Sequence, residues 1–300
     1  EVGLVHAVDN ISFDIRRKET FGLVGESGCG KTTTARLILN LIEPTDGKVF
    51  FEGENVFEKL KSSSKAEKLK IRRKMQLIFQ NPYGSLDPRM TVFDIISEPF
   101  VIHKHIPKKQ WKEKVYKLLE VVGLEEYHAE RYPHEFSGGQ RQRICIARAL
   151  AVEPEFLVAD EPVSSLDVSI RAQILNLLGE LQQRVGLTYL YISHDLSSVR
   201  QISNRVAVMY LGEIVELADT DELFKEPLHP YTEALIAAVP IPDPNARSIK
   251  IVLPGEVPSP INPPSGCRFH PRCPQAKPAC REKVPELVQV NPRHAVACHI

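Results

Sequence analysis

Gly25-Glu26-Ser27-Gly28-Cys29-Gly30-Lys31-Thr32-Thr33 decides the reading of this chain. The stretch fits G-x-x-x-x-G-K-[ST] at every fixed position. It follows the apolar run Phe21 to Val24 and precedes Thr34 to Ile42, whose apolar residues recur at helical spacing. Strand, glycine loop and helix form the context in which this pattern carries chemistry. The glycines let the backbone curl until successive N–H groups point at one centre, and the helix N-terminus adds the positive end of its dipole. A di- or triphosphate fits such a cradle. Lys31 is then placed to reach the β- and γ-phosphates, and Thr32 to offer its hydroxyl to Mg²⁺. Cys29 stands at a helix N-terminus, where thiol pKa values tend to fall, so a reactive thiol is expected when the site is empty.

Two further stretches belong with this one. Phe156-Leu157-Val158-Ala159-Asp160-Glu161 reads as an apolar strand ending in two acids. Asp160 suits Mg²⁺ held through its water shell, and Glu161 suits polarising an attacking water. Alone, the pair would read as a strand end with a helix-capping acid. Phe136-Ser137-Gly138-Gly139-Gln140-Arg141-Gln142-Arg143 puts a Ser-Gly-Gly turn at a helix start, a second anion site built of free N–H groups, a hydroxyl and a dipole. Alone, it would be an ordinary N-cap. Nothing in the glycine loop supplies a second cap for a γ-phosphate, and such a turn from a facing subunit would.

Composition narrows the class. Lys plus Arg equals Asp plus Glu at 38 each, which gives no support to a nucleic-acid binder. A 43% hydrophobic share is ample for a sizeable core. No apolar run approaches the ~18 residues of a membrane span, and the first residues lack the basic and apolar regions of a signal peptide. A cytoplasmic chain is expected, in which the six cysteines stay reduced. The chain does not begin with Met, so an upstream extension is expected.

The elements alternate. Leu4 to Arg16 suggests edge strands, with Ile11, Phe13 and Ile15 on one face. Lys48 to Glu52 resumes strand character after the Asp46-Gly47 turn. Lys59 to Lys74 reads as a solvated loop or helix face, Met75 to Phe79 as a strand, and Asn81 to Met90 as a proline-punctuated loop. Ile96 to Gly123 reads as helices, Glu155 to Ala159 and Leu187 to Ile192 as buried strands, Val206 to Leu217 as a final hairpin, and Pro230 to Val239 as a helix. Strands alternating with helices imply an α/β fold with a mostly parallel sheet. Thirteen of the 23 prolines lie from Pro240 onward, which marks a boundary. The expected division is a nucleotide-binding domain over 1–239, with a helical insertion over about 81–153. A proline-rich linker or wrapping arm and a cysteine-containing appendage occupy 240–300.

The order P-loop, Gln80, Ser137-Gly138-Gly139-Gln140, Asp160-Glu161, Ser165-Leu166-Asp167, then His194 resembles the ATP-binding subunit of ABC transporters over roughly residues 4 to 238. The resemblance implies a P-loop (RecA-like) ATPase core that hydrolyses ATP. It implies that Gln80 touches Mg²⁺ and the attacking water, and that Ser137, Gly139 and Gln140 cap a partner's ATP. Asp167 matches the D-loop residue, and His194 the switch histidine at the γ-phosphate. Gln80-Asn81-Pro82-Tyr83-Gly84-Ser85-Leu86-Asp87-Pro88-Arg89-Met90, Pro227-Leu228-His229-Pro230-Tyr231-Thr232 and the cysteine-containing tail narrow it to the dipeptide/oligopeptide importers. Gly28-Cys29-Gly30 and Arg72-Arg73-Lys74-Met75-Gln76 resemble the second of their two paired ATPase subunits.

That resemblance implies partners and a place. They are two membrane permeases, a second ATPase subunit or a second copy of this chain and, indirectly, an extracytoplasmic peptide-binding protein, with no nucleic acid. The place is the cytoplasmic face of the bacterial plasma membrane. An importer of nickel or another small solute, or a soluble ABC ATPase, is the alternative. Two departures stand out. Phe136 replaces the usual Leu of the signature, and no aromatic residue precedes the first strand to stack on adenine, so one is expected upstream of Glu1.

Cys267, Cys273, Cys280 and Cys298 are separated by five, six and seventeen residues in a tail too short for its own core. Modules of this size usually need a staple. Zinc sites mostly use Cys-x₂₋₄-Cys pairs, and the tail has none. A [4Fe–4S] cubane takes its four ligands at separate corners, although its familiar Cys-x₂-Cys spacing is also absent. The importer resemblance includes the cysteine pattern and allows the cluster. The expectation is therefore [4Fe–4S] first, Zn²⁺ second and unmetallated thiols third. Cys145, between Ile144 and Ile146, reads as a small buried hydrophobe.

Overall fold

The protein is described by a computed structural model over residues 3–239 and 253–299. Ten strands follow in chain order among the described residues: β1 (Thr20–Val24), β2 (Phe50–Phe51), β3 (Glu54–Asn55), β4 (Met75–Ile78), β5 (Phe156–Asp160), β6 (Thr188–Ser193), β7 (Arg205–Tyr210), β8 (Glu213–Asp219), β9 (Val288–Asn291) and β10 (His294–Val296). The chain divides into two compact units, one of Glu1–Ile15, Glu19–Thr34 and Tyr191–Ile300, the other of Arg16–Lys18 and Ala35–Leu190.

In the first unit β1 is buried along its whole length and runs parallel to β7, with Phe21 opposite Arg205 and Val24 opposite Val208. A strand covered on both faces needs no polar alternation, which is why Thr-Phe-Gly-Leu-Val reads as a nearly unbroken apolar run. β7 and β8 form an antiparallel hairpin whose two turn residues, Leu211 and Gly212, both have positive φ, 44° and 87°. That is the turn whose twist matches the strands it joins. The hairpin is not the last sheet element: β10 pairs antiparallel with β8, and β9 with β10. A fully buried carboxylate fastens this C-terminal addition. Glu216 accepts from Leu228 N–H at 2.7 Å, His229 N–H at 3.0 Å and His294 Nε2 at 2.6 Å. A buried carboxylate persists only with such partners. The proposed proline-rich arm falls largely on residues 240–252, outside the described residues.

In the second unit β4 and β5 are parallel, with Met75 opposite Phe156 and Ile78 opposite Ala159. Between them in sequence lie the helices Val92–His103, Trp111–Val121 and Gly138–Leu150, and the stretch expected as loop holds the short helix Pro82–Ser85, capped by the Asn81 side chain. Their apolar faces, with Ile96, Phe100, Val115, Leu119, Ile144 and Ile146, are buried. The charged run before β4 forms two helices, Val56–Ser62 and Lys65–Lys74. The second buries no residue and is started by a capping box between Ser64 and Glu67. Helix Val168–Val185 leads to β6 and stops at Gly186, left-handed at φ 74°. β6 carries the chain from this unit into the first.

One expectation fails. Residues 4–16 hold no strand. Asn10 takes φ 47° and interrupts the run. Phe13 stacks on Phe21, centroids 5.1 Å apart, so its alternating apolar face is satisfied by packing rather than by a ladder. No described helix is long and apolar enough to cross a membrane.

Candidate nucleotide-binding and hydrolysis site

The glycine loop joins β1 to helix Lys31–Ile38. Gly25 and Gly30 are at φ 156° and 111°, and a Cβ on either would stand 2.1 Å from a carbonyl oxygen, Met209 O or Ala7 O. Glycine alone fits both places. Ser27 and Gly28 form the exposed crest, and Thr32 and Thr33 are half-buried in the first helical turn. Lys31 is 5% exposed and folds back on its own loop, Nζ donating to Gly25 O at 2.8 Å and Glu26 O at 2.9 Å. Those carbonyls hold the ammonium where an arriving phosphate would compete for it.

Cys29 corrects an expectation. It is 4% exposed, and burial pushes its thiol pKa up despite Lys31 beside it. Desolvation of the thiolate outweighs the helix-end and lysine effects, so it is not the reactive thiol its loop position suggested. Two neighbours of the loop were not foreseen. Glu26 N–H donates to Tyr231 Oη at 2.9 Å, and Arg272 grips the Glu26 carboxylate with two nitrogens, at 2.7 and 3.2 Å. Tyr231 lies in a stretch already singled out, but Arg272 is 246 residues from Glu26 and carried no signal. In the same unit His194 is exposed just past β6.

The second unit assembles another group. Asp160 ends β5 and is 6% exposed. Glu161 follows at φ 47°, a left-handed conformation that costs a non-glycine residue about 1 kcal/mol and recurs at functional sites. Ile78 of β4 stands opposite Ala159 of β5, so Gln80 and Glu161 each lie two residues past that pair. Gln80 Nε2 donates to Glu161 Oε2 at 2.9 Å.

The Ser-Gly-Gly turn starts helix Gly138–Leu150 as a complete capping box: Ser137 Oγ accepts from Gln140 N–H and Gln140 Oε1 from Ser137 N–H. Gly139 is buried, and a Cβ there would meet Ile170 at 2.3 Å. Gly138 is half-buried and Ser137 exposed. Asp167 is exposed at the start of helix Val168–Val185 and makes no side-chain bond to that helix. Cys145 is buried, its Sγ 3.2 Å from Ser85 Oγ.

The four tail cysteines gather without forming a ligand set. Cys267 and Cys280 are buried, Cys273 and Cys298 half-buried, and Cys267 N–H bonds to Cys280 O at 2.8 Å. Burial, reinforced by the other three cysteines, pushes the Cys267 thiol up to about 11. Among the described residues, no group of three or more His, Cys, Asp or Glu is placed to hold a metal ion. The expected [4Fe–4S] or Zn²⁺ set at Cys267, Cys273, Cys280 and Cys298 is therefore not formed by these side-chain positions.

Comparison with known proteins agrees with this geometry. The family described as ABC transporter matches residues 8–164, and the Oligopeptide/dipeptide transporter, C-terminal region, matches residues 215–280. The oligopeptide transport ATP-binding protein AppF of Bacillus subtilis is 53% identical over 304 residues, covering 100% of this chain and 91% of the relative. The probable peptide ABC transporter ATP-binding protein y4tS of Sinorhizobium fredii is 54% identical over 299 residues, covering 100% and 84%. Among solved structures, the dimeric post-hydrolysis state of the ATP-binding cassette MJ0796, bound to ADP and Pi, superposes at TM-score 0.63 with 29% identity, covering 71% of this chain and 90% of that one. CbiO1 of Clostridium perfringens, part of the transporter complex cbiONQ, superposes at 0.65 with 27% identity, covering 73% and 84%.

Proposed function

This chain belongs to the ABC transporter family, as an ATP-binding subunit of the oligopeptide-importer branch, and from that premise we propose how its residues divide the work. It binds and hydrolyses ATP and works as a cassette dimer with transmembrane permease subunits. Gly25, Glu26, Ser27, Gly28, Cys29, Gly30, Lys31, Thr32 and Thr33 cradle the phosphates, with Lys31 leaving its loop carbonyls for the β- and γ-oxygens. Thr32, Gln80 and Asp160 offer a hydroxyl, an amide and a carboxylate, the hard oxygen donors Mg²⁺ prefers. Mg²⁺ would neutralise charge on the triphosphate. Glu161 orients and activates the water, and His194 contacts the γ-phosphate. Ser137, Gly138, Gly139, Gln140 and Asp167 face the ATP of the opposite subunit.

The observation that carries this reading is the Gln80–Glu161 hydrogen bond. It ties the hydrolytic carboxylate to the first residue of the proline-punctuated segment Gln80–Arg89, which contains the short helix Pro82–Ser85 and which we propose meets the permeases. Movement of that segment then changes where the carboxylate points, which couples transport to hydrolysis. The opposite subunit is a paired ATPase or a second copy of this chain, at the cytoplasmic face of the membrane, and a peptide-binding protein delivers cargo from outside. Likeness along this chain to peptide-transport proteins supports peptides over nickel as cargo.

The nearness of Cys273, Cys280 and Cys298 to Cys267 supports a sulfur-ligated centre in the tail, [4Fe–4S] before Zn²⁺. Anaerobic preparation tests it, since a cluster is brown and absorbs broadly near ~400 nm. The function is tested by deleting the gene and measuring uptake. Loss of di- and oligopeptide uptake, restored by the wild-type chain and not by Lys31→Ala, is expected. Intact peptide uptake with lost nickel uptake would overturn the cargo.

A further inference from the structure

A carboxylate on a phosphate-binding loop is an electrostatic problem. The loop gathers N–H dipoles to attract anions, and an ionised Glu26 in its second position repels the triphosphate those dipoles attract. The conflict is met from the far end of the chain. Arg272 is 8% exposed and places two nitrogens on the two Glu26 oxygens, at 2.7 and 3.2 Å, the bidentate fork that arginine geometry favours. Tyr231 Oη takes the N–H of the same residue at 2.9 Å. The carbonyl of Glu26 receives Lys31 Nζ at 2.9 Å. All three polar groups of Glu26 are thus engaged, and one of the engaging groups is the P-loop lysine.

The segment that delivers Arg272 is itself seated on this half of the protein. Phe269, Tyr210 and Tyr231 form a buried aromatic trio with centroids 4.7 to 5.4 Å apart. Arg268 is 9% exposed and bonds to Asp9, to Glu213 at 3.0 Å and to Leu211 O. The adjoining Gly212 donates its N–H to Cys29 O at 2.9 Å, so the hairpin turn that Arg268 holds also touches the P-loop. Two arginines, each beside a tail cysteine, therefore pin the C-terminal segment to the loop and to the turn behind it.

The geometry points to Arg272 as a positioning residue of the nucleotide site: it neutralises Glu26 and fixes the first turn of the P-loop, so ATP affinity depends on the C-terminal segment staying docked. This rests on the ATP-binding reading and extends it to a part of the chain outside the ATPase motifs. The dependence grows with the charge of the ligand, because the uncompensated carboxylate repels each added phosphate.

The test is a double-mutant cycle on the full-length chain, reading the Kd of ATP, ADP and AMP by displacement of a fluorescent ATP analogue. Arg272→Gln, still folded by circular dichroism, is expected to weaken ATP about tenfold or more, ADP less and AMP least, because it leaves a partly buried charge unpaired. In the Glu26→Gln background the same Arg272→Gln change is expected to cost less than about threefold, since no charge remains to compensate. Arg272→Lys keeps the charge without the fork and should fall between. Equal losses in both backgrounds, or no loss in the first, would overturn the assignment. A wild-type chain that failed to bind ATP at all would instead overturn the ATPase reading, which separates the two.

Discussion

Gln80 donates to Glu161, Nε2 to Oε2 at 2.9 Å, across two parallel strands whose register puts the pair side by side. The bond fixes the orientation of the carboxylate through a neutral amide. Gln80→Ala is expected to lower ATP turnover by roughly 10- to 100-fold while leaving ATP affinity within a few fold, the scale on which hydrogen-bond partners that orient a functional side chain contribute. Paired kcat and Kd measurements check it. An unchanged kcat would show that the carboxylate is positioned without the glutamine.

Glu161 is left-handed at φ 47°, so its backbone stores strain. Glu161→Gly and Glu161→Ala remove the same carboxylate and the same bond to Gln80. The glycine variant is expected to be more stable than the alanine variant by about 1 kcal/mol, which is about 2–4 °C in Tm for a domain of this size. Thermal unfolding of the pair decides. An alanine variant as stable as the glycine variant would show that the backbone relaxes there at no cost.

His229 is 1% exposed, its Nδ1 accepts from Tyr231 N–H at 3.1 Å, and burial pushes its pKa from 6.5 down to about 4. A histidine held neutral in the folded protein and charged in the unfolded chain contributes stability that is present above pH 6.5. It is lost as pH falls from there to about 4. His229→Asn keeps a cap acceptor without a titrating group. Its unfolding free energy is expected to vary less with pH in that window than that of the wild type. Parallel pH profiles would refute the assignment.

Tyr83 is 65% exposed, with Arg141 lying over its ring at 3.9 Å, on the segment that starts at Gln80. Cysteine placed at Tyr83 or Ser85 is expected to cross-link to a permease loop in the assembled transporter. Cross-links formed only from residues distant from Gln80–Arg89 would move the membrane contact elsewhere.

Phosphate chemistry made much of this legible. Gly25, Gly30 and Lys31 can be read because few residues fit a backbone that approaches carbonyls so closely. Asp160 and Glu161 stand out at the end of an apolar strand for a similar reason. The strands β1 and β5 were readable because full burial leaves no polar interruption. What sequence could not give was set by pairing. Gln80 meets Glu161 through strand register, and Arg272 meets Glu26 across 246 residues. Cys29 was misread because its helix-end position is local, whereas its burial comes from packing. β9 and β10 were missed because they are short, although Val288-Gln289-Val290 before Asn291-Pro292-Arg293 carries a faint alternation and turn. Leu4 to Arg16 alternates as a strand would, and packs without becoming one.

The central claim is that Glu161 is the group that makes this chain an ATPase while the glycine loop does the binding. Glu161→Gln, combined with its natural partner subunit or a second copy of itself, should be measured for ATP turnover and for mass in ATP and ADP. The account predicts turnover at this subunit's own P-loop reduced by roughly 10²–10⁴-fold, ATP binding retained, and a long-lived dimer in ATP that dissociates in ADP. Near-normal turnover at that site, with the opposite site silenced, would contradict it.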